Sequence, residues 1–198
     1  MSISLFSRVF FVVFFIFLQI KAMGHADNKT AEFIPLNIAI MTVSDSRTDA
    51  NDSSGNSLVS KLTEAGHKLA EKRIVADDRY QIRAVLSGWI ADSSIEAVIT
   101  TGGTGLTGRD ITPEAVSPLF DKTIEGFGEL FRMKSYEKIR TSTVQSRALA
   151  GLANGTPVFC LPGSPGACKD GWVIIQDQLD MRHKPCNLVE MMPRFLEV

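Results

Sequence analysis

TTGGTGLTGRD, Thr100 to Asp110, carries four glycines within seven residues and closes on an Arg-Asp pair. It continues directly from IEAVITT, Ile95 to Thr101, an apolar run of strand length. Beyond it, Thr112-Pro113 offers an N-cap and an N1 proline, predicting a helix from Pro113 to about Phe120. Strand, glycine loop and helix in succession set the grammar that the rest of the chain is read against.

Upstream the same alternation holds. NIAIMTV, Asn37 to Val43, reads as a buried parallel strand that ends in the polar loop SDSRTDANDSS. The helix that follows places Leu58, Val59, Leu62 and Ala65 on one face and stops at Gly66. HKLAEKRIV, His67 to Val75, predicts the next strand, and Arg79 to Asp92 a helix with Ile82, Val85, Leu86 and Trp89 inward. Downstream, FGELFRMKSYEKI, from Phe127, reads as helical. RALAGLANGTPVFCLPG reads as two strands around the Asn154-Gly155 turn, and a last helix has Ser164 as N-cap and Pro165 at N1.

The expected fold class is α/β: a single three-layer domain around a mainly parallel sheet, with a short β-hairpin in the second half. Ligands of such sheets bind beyond the carboxyl ends of the strands. The loops after Val43, Val75 and Thr101 all follow strands and so should meet at one edge.

Composition narrows the partners. At 198 residues the chain is long enough to bury one core without staples. Lys and Arg number 21 against 22 Asp and Glu, with no long run of either sign, which argues against nucleic acid. Cys160, Cys168 and Cys186 form an odd set without C-x-x-C spacing, which suits free thiols in a reducing compartment.

The N-terminus pulls the other way. RVFFVVFFIFLQI, Arg8 to Ile20, has the length of a signal-peptide apolar core, and Gly24-His25-Ala26 offers a small-x-small cleavage pattern. The preferred reading is a misassigned start, with Met23 as the true one and a cytoplasmic protein after it. Residues 1–30 are then a leader outside the fold, 31–190 the domain and 191–198 a tail.

The glycine loop can be weighed against known phosphate cradles. Gly103 to Gly108 fits G-x-G-x-x-G, but the dinucleotide fingerprint opens its helix within the glycines, whereas Pro113 places the helix start after Asp110. A nicotinamide-dependent oxidoreductase is therefore disfavoured. Gly108-Arg109-Asp110 stands where a P-loop needs Gly-Lys-Ser/Thr. What remains is a backbone nest for an anion, with Thr101 and Thr104 adding hydroxyl donors, or simply a loop whose glycines turn the chain.

Asp77 and Asp110 should project beside that loop. Two carboxylates near phosphates make sense around a divalent cation, since Mg²⁺ is commonly held by one or two carboxylates plus substrate phosphates. Helix capping near Thr112, for Asp110, and a solvated turn, for Asp77, are the alternatives.

Six motifs in one register give a further lead: TVSDSR (Thr42 to Arg47), D-x-S-G (Asp52 to Gly55), TTGGTG, the Arg109 to Ala115 run, SRA (Ser146 to Ala148) and LPGSP (Leu161 to Pro165). Together they resemble the MoaB/Mog family of molybdenum cofactor biosynthesis proteins, nearer the MoaB branch, from about Glu32 to Asn187. The resemblance implies a cytoplasmic protein that binds molybdopterin and adenylylates it with Mg-ATP, releasing pyrophosphate, and that assembles as a hexamer or trimer. Phe127 to Met133 offer apolar surface for such assembly, or core. The family's two functional acids fall on Asp77 and Asp110, expected to hold the Mg²⁺ of the nucleotide. Gly102, Gly103, Thr104, Gly105, Thr101 and the Ser44, Asp45, Ser46 loop are expected to bind phosphate or pterin. Ser146, Arg147 and the Pro162, Gly163, Ser164 turn are further anion-binding candidates.

The chemistry suits those residues. A phosphate monoester is mostly ionised near neutral pH, so the attacking group needs no strong base and the absence of a convincing catalytic histidine is no objection. A non-catalytic molybdopterin carrier with the same fold is the other reading.

Overall fold

The computed structural model describes residues 31–197. The leader, the start at Met23 and the cleavage pattern lie outside the described residues.

Six strands form one sheet in the order β2-β1-β3-β6-β5-β4, with β1 Asn37–Val43, β2 Lys68–Val75, β3 Ala97–Thr101, β4 Lys122–Thr123, β5 Leu149–Ala153 and β6 Thr156–Leu161. β2, β1, β3 and β6 run parallel; β5 pairs antiparallel with β6 and β4 antiparallel with β5. The mainly parallel sheet and the hairpin across Asn154-Gly155 are as the sequence predicts.

Alternation along the strands builds two cores. In β1, Ile38 and Ile40 face one cluster, whereas Ala39, Met41 and Val43 face the other. In β6, Phe159 and Leu161 join the first, while Val158 and Cys160 join the second. The first face is covered by α1 (Ser53–Glu64), through Leu58 and Leu62, and by α4 (Glu125–Ile139), through Phe127 and Phe131. α5 (Pro165–Gln178) adds Cys168, Trp172 and Ile175 to it. The second face is covered by α2 (Arg79–Ala91), through Ile82, Leu86 and Trp89, and by α3 (Thr112–Val116). Helices on both faces of the sheet make the three layers.

The chain departs from the sequence reading in several places. β4 has two residues, too short for any periodicity to register. A 3₁₀ turn over Arg140–Gln145 follows α4, and α6 (Leu188–Met191) runs into a second turn at Met192–Arg194. Thr112 does not act as the expected N-cap acceptor: its hydroxyl donates to the Gly102 carbonyl at 2.8 Å, which ties α3 to the glycine loop. Phe127 and Phe131 are buried, so half of the apolar stretch from Phe127 to Met133 is core; Leu130 and Met133 are exposed. Cys160 and Cys168 belong to opposite faces of the sheet, and all three cysteines are free.

Candidate active site

The loops that leave β1, β2, β3 and β6 converge beyond the carboxyl end of the sheet, where they floor a cleft of about 630 Å³. It is lined by Ser44, Ser46, Asp77 and the glycine loop, and by Pro162, Gly163 and Ser164. The far wall comes from α4 and the 3₁₀ turn after it, with Phe131, Ser135, Lys138, Ser142, Gln145 and Ser146. This is the convergence that the strand-loop pattern predicts.

The glycines are there for reach more than for donors. Gly102 and Gly103 have φ of 105° and 63°, a region that costs any residue with a Cβ. A Cβ on Gly102 would strike the Val43 carbonyl oxygen, and one on Gly103 the Thr112 hydroxyl. The Gly102 N–H is already used by the Leu161 carbonyl at 2.9 Å. The nest therefore does not begin at Gly102. Thr101 is likewise unavailable as a ligand donor, because its buried hydroxyl donates to the Pro162 carbonyl at 3.0 Å and borders the Cys168 sulfur at 3.2 Å. Thr101, Gly102, Gly103, Thr104 and Gly105 all line the cleft.

Asp110 closes the loop on itself. Its Oδ2 accepts the Thr107 N–H at 2.8 Å and the Thr107 hydroxyl at 2.6 Å, and the Gly105 N–H points at the same carboxylate. Partial burial acts to raise its pKa, but these donors and the nearby Arg147 charge outweigh it, so the carboxyl is held below the usual range. Asp77 moves the opposite way: burial first, then the negative charge of Asp110, push it up. Two acids brought together with their ionisation driven apart are a recurrent mark of functional sites.

Asp77 is also fixed from the side. Its Oδ2 accepts the Asp45 N–H at 3.0 Å, while Asp45 Oδ1 accepts the Asp77 N–H at 3.0 Å. This reciprocal pair locks the loop after β1 to the loop after β2, and Arg109 pairs with the Asp45 carboxylate from the glycine loop. Asp45, expected among the ligand contacts, does not line the cleft and serves as a clamp. Arg147 is a second departure. Its guanidinium donates to the carbonyls of Gly105, at 2.7 Å, and Asp110, at 2.6 Å, and pairs with Glu114. It moulds the outer side of the glycine loop and does not line the cleft. Ser146, beside it, does.

Three groups escaped the sequence reading as site residues. Asp52, fully buried, caps α1 by accepting the Gly55 N–H at 2.9 Å; it also accepts the Thr42 hydroxyl at 2.8 Å and pairs with Lys72 at 3.0 Å. Burial opposes its ionisation, yet these partners keep its pKa below the usual value. Ser54 donates to the Gly163 carbonyl at 2.9 Å, so the start of α1 braces the floor of the cleft. The D-x-S-G motif was the available signal for both. Lys138 and Asp170 pair across the cleft wall from α4 to α5, and their sequence separation gave no sign of it.

Asp77 and Asp110 are two carboxylates that line the same cleft. Among the described residues no three His, Cys, Asp or Glu side chains gather as a ready-made metal cage. Two neighbouring carboxylates facing an open cleft are, however, the donor set that Mg²⁺ uses when phosphates supply the remaining oxygens. Burial and then the Asp110 charge push Asp77 up, and a cation bound between the two would offset both.

The chain resembles known proteins in both sequence and fold. The domain family described as a probable molybdopterin binding domain matches residues 39–180. Molybdenum cofactor biosynthesis protein B of Escherichia coli (strain K12) is 54% identical over 159 residues, which cover 80% of this chain and 94% of that one. A crystal structure of molybdenum cofactor biosynthesis protein B superposes with a TM-score of 0.73 at 42% identity, covering 75% of this chain and 94% of that one. The tungsten cofactor synthesizing protein MoaB from Pyrococcus furiosus does so at 0.67 and 39% identity, covering 73% and 92%. With the family matched over most of its folded length and the fold shared throughout, the chain belongs to the MoaB/Mog family of molybdopterin-binding domains.

Proposed function

We propose that the protein adenylylates molybdopterin with Mg-ATP. The observation that carries this reading is that Asp77 and Asp110 line one cleft beside the glycine loop, close enough for their charges to repel. The terminal phosphate of molybdopterin attacks the α-phosphorus of ATP; a new P–O–P bond forms, the bond to the β-phosphate breaks, and pyrophosphate leaves. Magnesium would supply charge neutralisation between the two anions. The chain's own part is to hold the acids in place through Asp45 and Thr107, to admit the phosphates against Gly103, Thr104 and Gly105, and to seat the ligand along Ser44, Ser46, Ser146 and the 162–164 turn. Positioning and electrostatics then account for the rate, as in other phosphoryl transfers.

One observation favours a carrier instead. Asp110 already accepts two bonds from Thr107, so its carboxylate has a loop-holding role that needs no metal. Incubation with molybdopterin, ATP and Mg²⁺ separates the two: pyrophosphate released only when all three are present supports the enzyme, and molybdopterin binding without release supports the carrier.

Assembly as a hexamer or trimer, and residence in the cytoplasm, belong to the same reading. Leu130, Met133 and Tyr136 are exposed along α4 and supply apolar surface for subunit contact. Among the described residues no helix is long and apolar enough to cross a membrane.

A further inference from the structure

The wall of the cleft formed by α4 and α5 carries an ion pair that the reading above does not use. Lys138, in the last turn of α4, and Asp170, near the start of α5, both line the cleft and pair with each other. Their environments are unequal: the Asp170 side chain is 9% exposed and the Lys138 side chain 57%. A buried carboxylate requires a partner, whereas a half-exposed ammonium on a four-carbon stem is content in water. The pair therefore serves Asp170 and, through it, the placement of the ammonium at the cleft wall. An ammonium has three donors, so two remain after Asp170 is served.

The other cations bordering the cleft, Arg47 and Arg109, sit on the loops after β1 and β3 and not on this wall. Arg109 pairs with Asp45, and Arg47 donates to the Asn51 carbonyl at 2.9 Å. The remaining polar groups on this wall, Ser135, Ser142 and Gln145, are neutral. An anionic group that enters along α4 thus meets the positive charge of Lys138 on this wall.

We propose that Lys138 binds a phosphate or diphosphate group of the ligand, with Asp170 as the counter-charge that positions it. This deepens the proposed function by giving the cleft an anion contact that does not depend on Mg²⁺, and it rests on that reading only in taking the ligand to be a phosphate compound. The cleft then divides the work between acids and metal beside the glycine loop and a fixed cation on α4.

The test is calorimetric binding of inorganic pyrophosphate, without Mg²⁺, to the full-length protein. Lys138→Met should weaken binding roughly tenfold, the scale of one charge-assisted hydrogen bond, and flatten its dependence on salt. Asp170→Asn should tighten binding, because a negative charge beside the phosphate is removed while the ammonium stays. The double variant should match Lys138→Met, and since it leaves no unpaired buried carboxylate it covers the case in which the single variant folds poorly. Lys134→Met, one turn earlier and paired with Glu137, should bind as the wild type does. No pyrophosphate binding by the wild type, unchanged binding in Lys138→Met, or equal loss in Lys134→Met would overturn the proposal. Weakened binding in Lys138→Met together with no adenylylation by the wild type would uphold it while removing the proposed activity.

Discussion

Asp110→Asn should destabilise the fold while Asp77→Asn should not, and both should have the same effect on rate. Asp110 accepts two bonds from Thr107 on one oxygen and faces the Gly105 N–H, so Asp110→Asn must turn its amide N–H₂ toward at least one of these donors. Hydrogen bonds to a charged acceptor contribute about 1.5–3 kcal/mol, and the loss here should be about 2 kcal/mol because the group is only partly buried. For a domain of this length that is a fall in Tm of roughly 4–8 °C. Asp77→Asn differs. Its amide oxygen keeps the Asp45 N–H, and the substitution removes a charge that Asp110 repels, so stability should be unchanged or slightly higher. The sign has a pH corollary. A carboxyl raised in the fold lowers stability as pH rises from its ordinary value of 3.8 through its folded pKa, and Asp77→Asn should abolish that loss. Asp110, held low, contributes stability above pH 3.8 that disappears as pH falls through its folded pKa. Both variants should lose about two orders of magnitude in adenylylation, ~3 kcal/mol of transition-state stabilisation, if the acids together hold the metal. Thermal melts from pH 2 to 7 and pyrophosphate release decide the matter. A melting temperature for Asp77→Asn as low as that of Asp110→Asn, or a wild-type rate in either, would refute the division of roles.

Other expectations concern single sites. Gly102→Ala should lower the yield of folded protein or cost several kcal/mol in denaturant melts, since φ of 105° and the Val43 carbonyl both oppose a Cβ. His67 accepts the Leu36 N–H at 3.2 Å, is 5% exposed, and burial pushes its pKa below 6.5. The neutral form is thus favoured by the fold, and stability should fall as pH drops below about 6.5, an effect absent in His67→Gln. A thiol reagent should modify Cys186 alone in the native protein, because Cys160 and Cys168 are buried and burial pushes the Cys160 thiol up to about 12. All three should react in denaturant.

Local signals made the fold legible. Apolar runs marked β1 and β3, Asn154-Gly155 marked the hairpin, and Ser164-Pro165 marked the start of α5, where the Ser164 hydroxyl accepts the Ala167 N–H at 3.1 Å. The place of the cleft followed from which loops leave carboxyl strand ends. The jobs of individual side chains did not. Arg147 lies 42 residues from Gly105 and Arg109 lies 64 from Asp45, so the bonds that turn an expected anion contact and an expected ligand contact into loop clamps arise only on folding. Thr101 sits in the glycine motif, but strand alternation and the approach of Pro162 bury its hydroxyl. Lys138 and Asp170 each resemble an ordinary helix-surface charge until α4 and α5 pack side by side.

The central claim is that this cleft transfers an adenylyl group to molybdopterin. A single-turnover reaction of the protein with molybdopterin and ATP labelled at the α-phosphate tests it most directly. With Mg²⁺ present, the label should move to the pterin in step with release of one pyrophosphate per pterin consumed, and chelation should stop it. Label that stays on ATP while molybdopterin is bound would contradict the account and leave the protein a carrier.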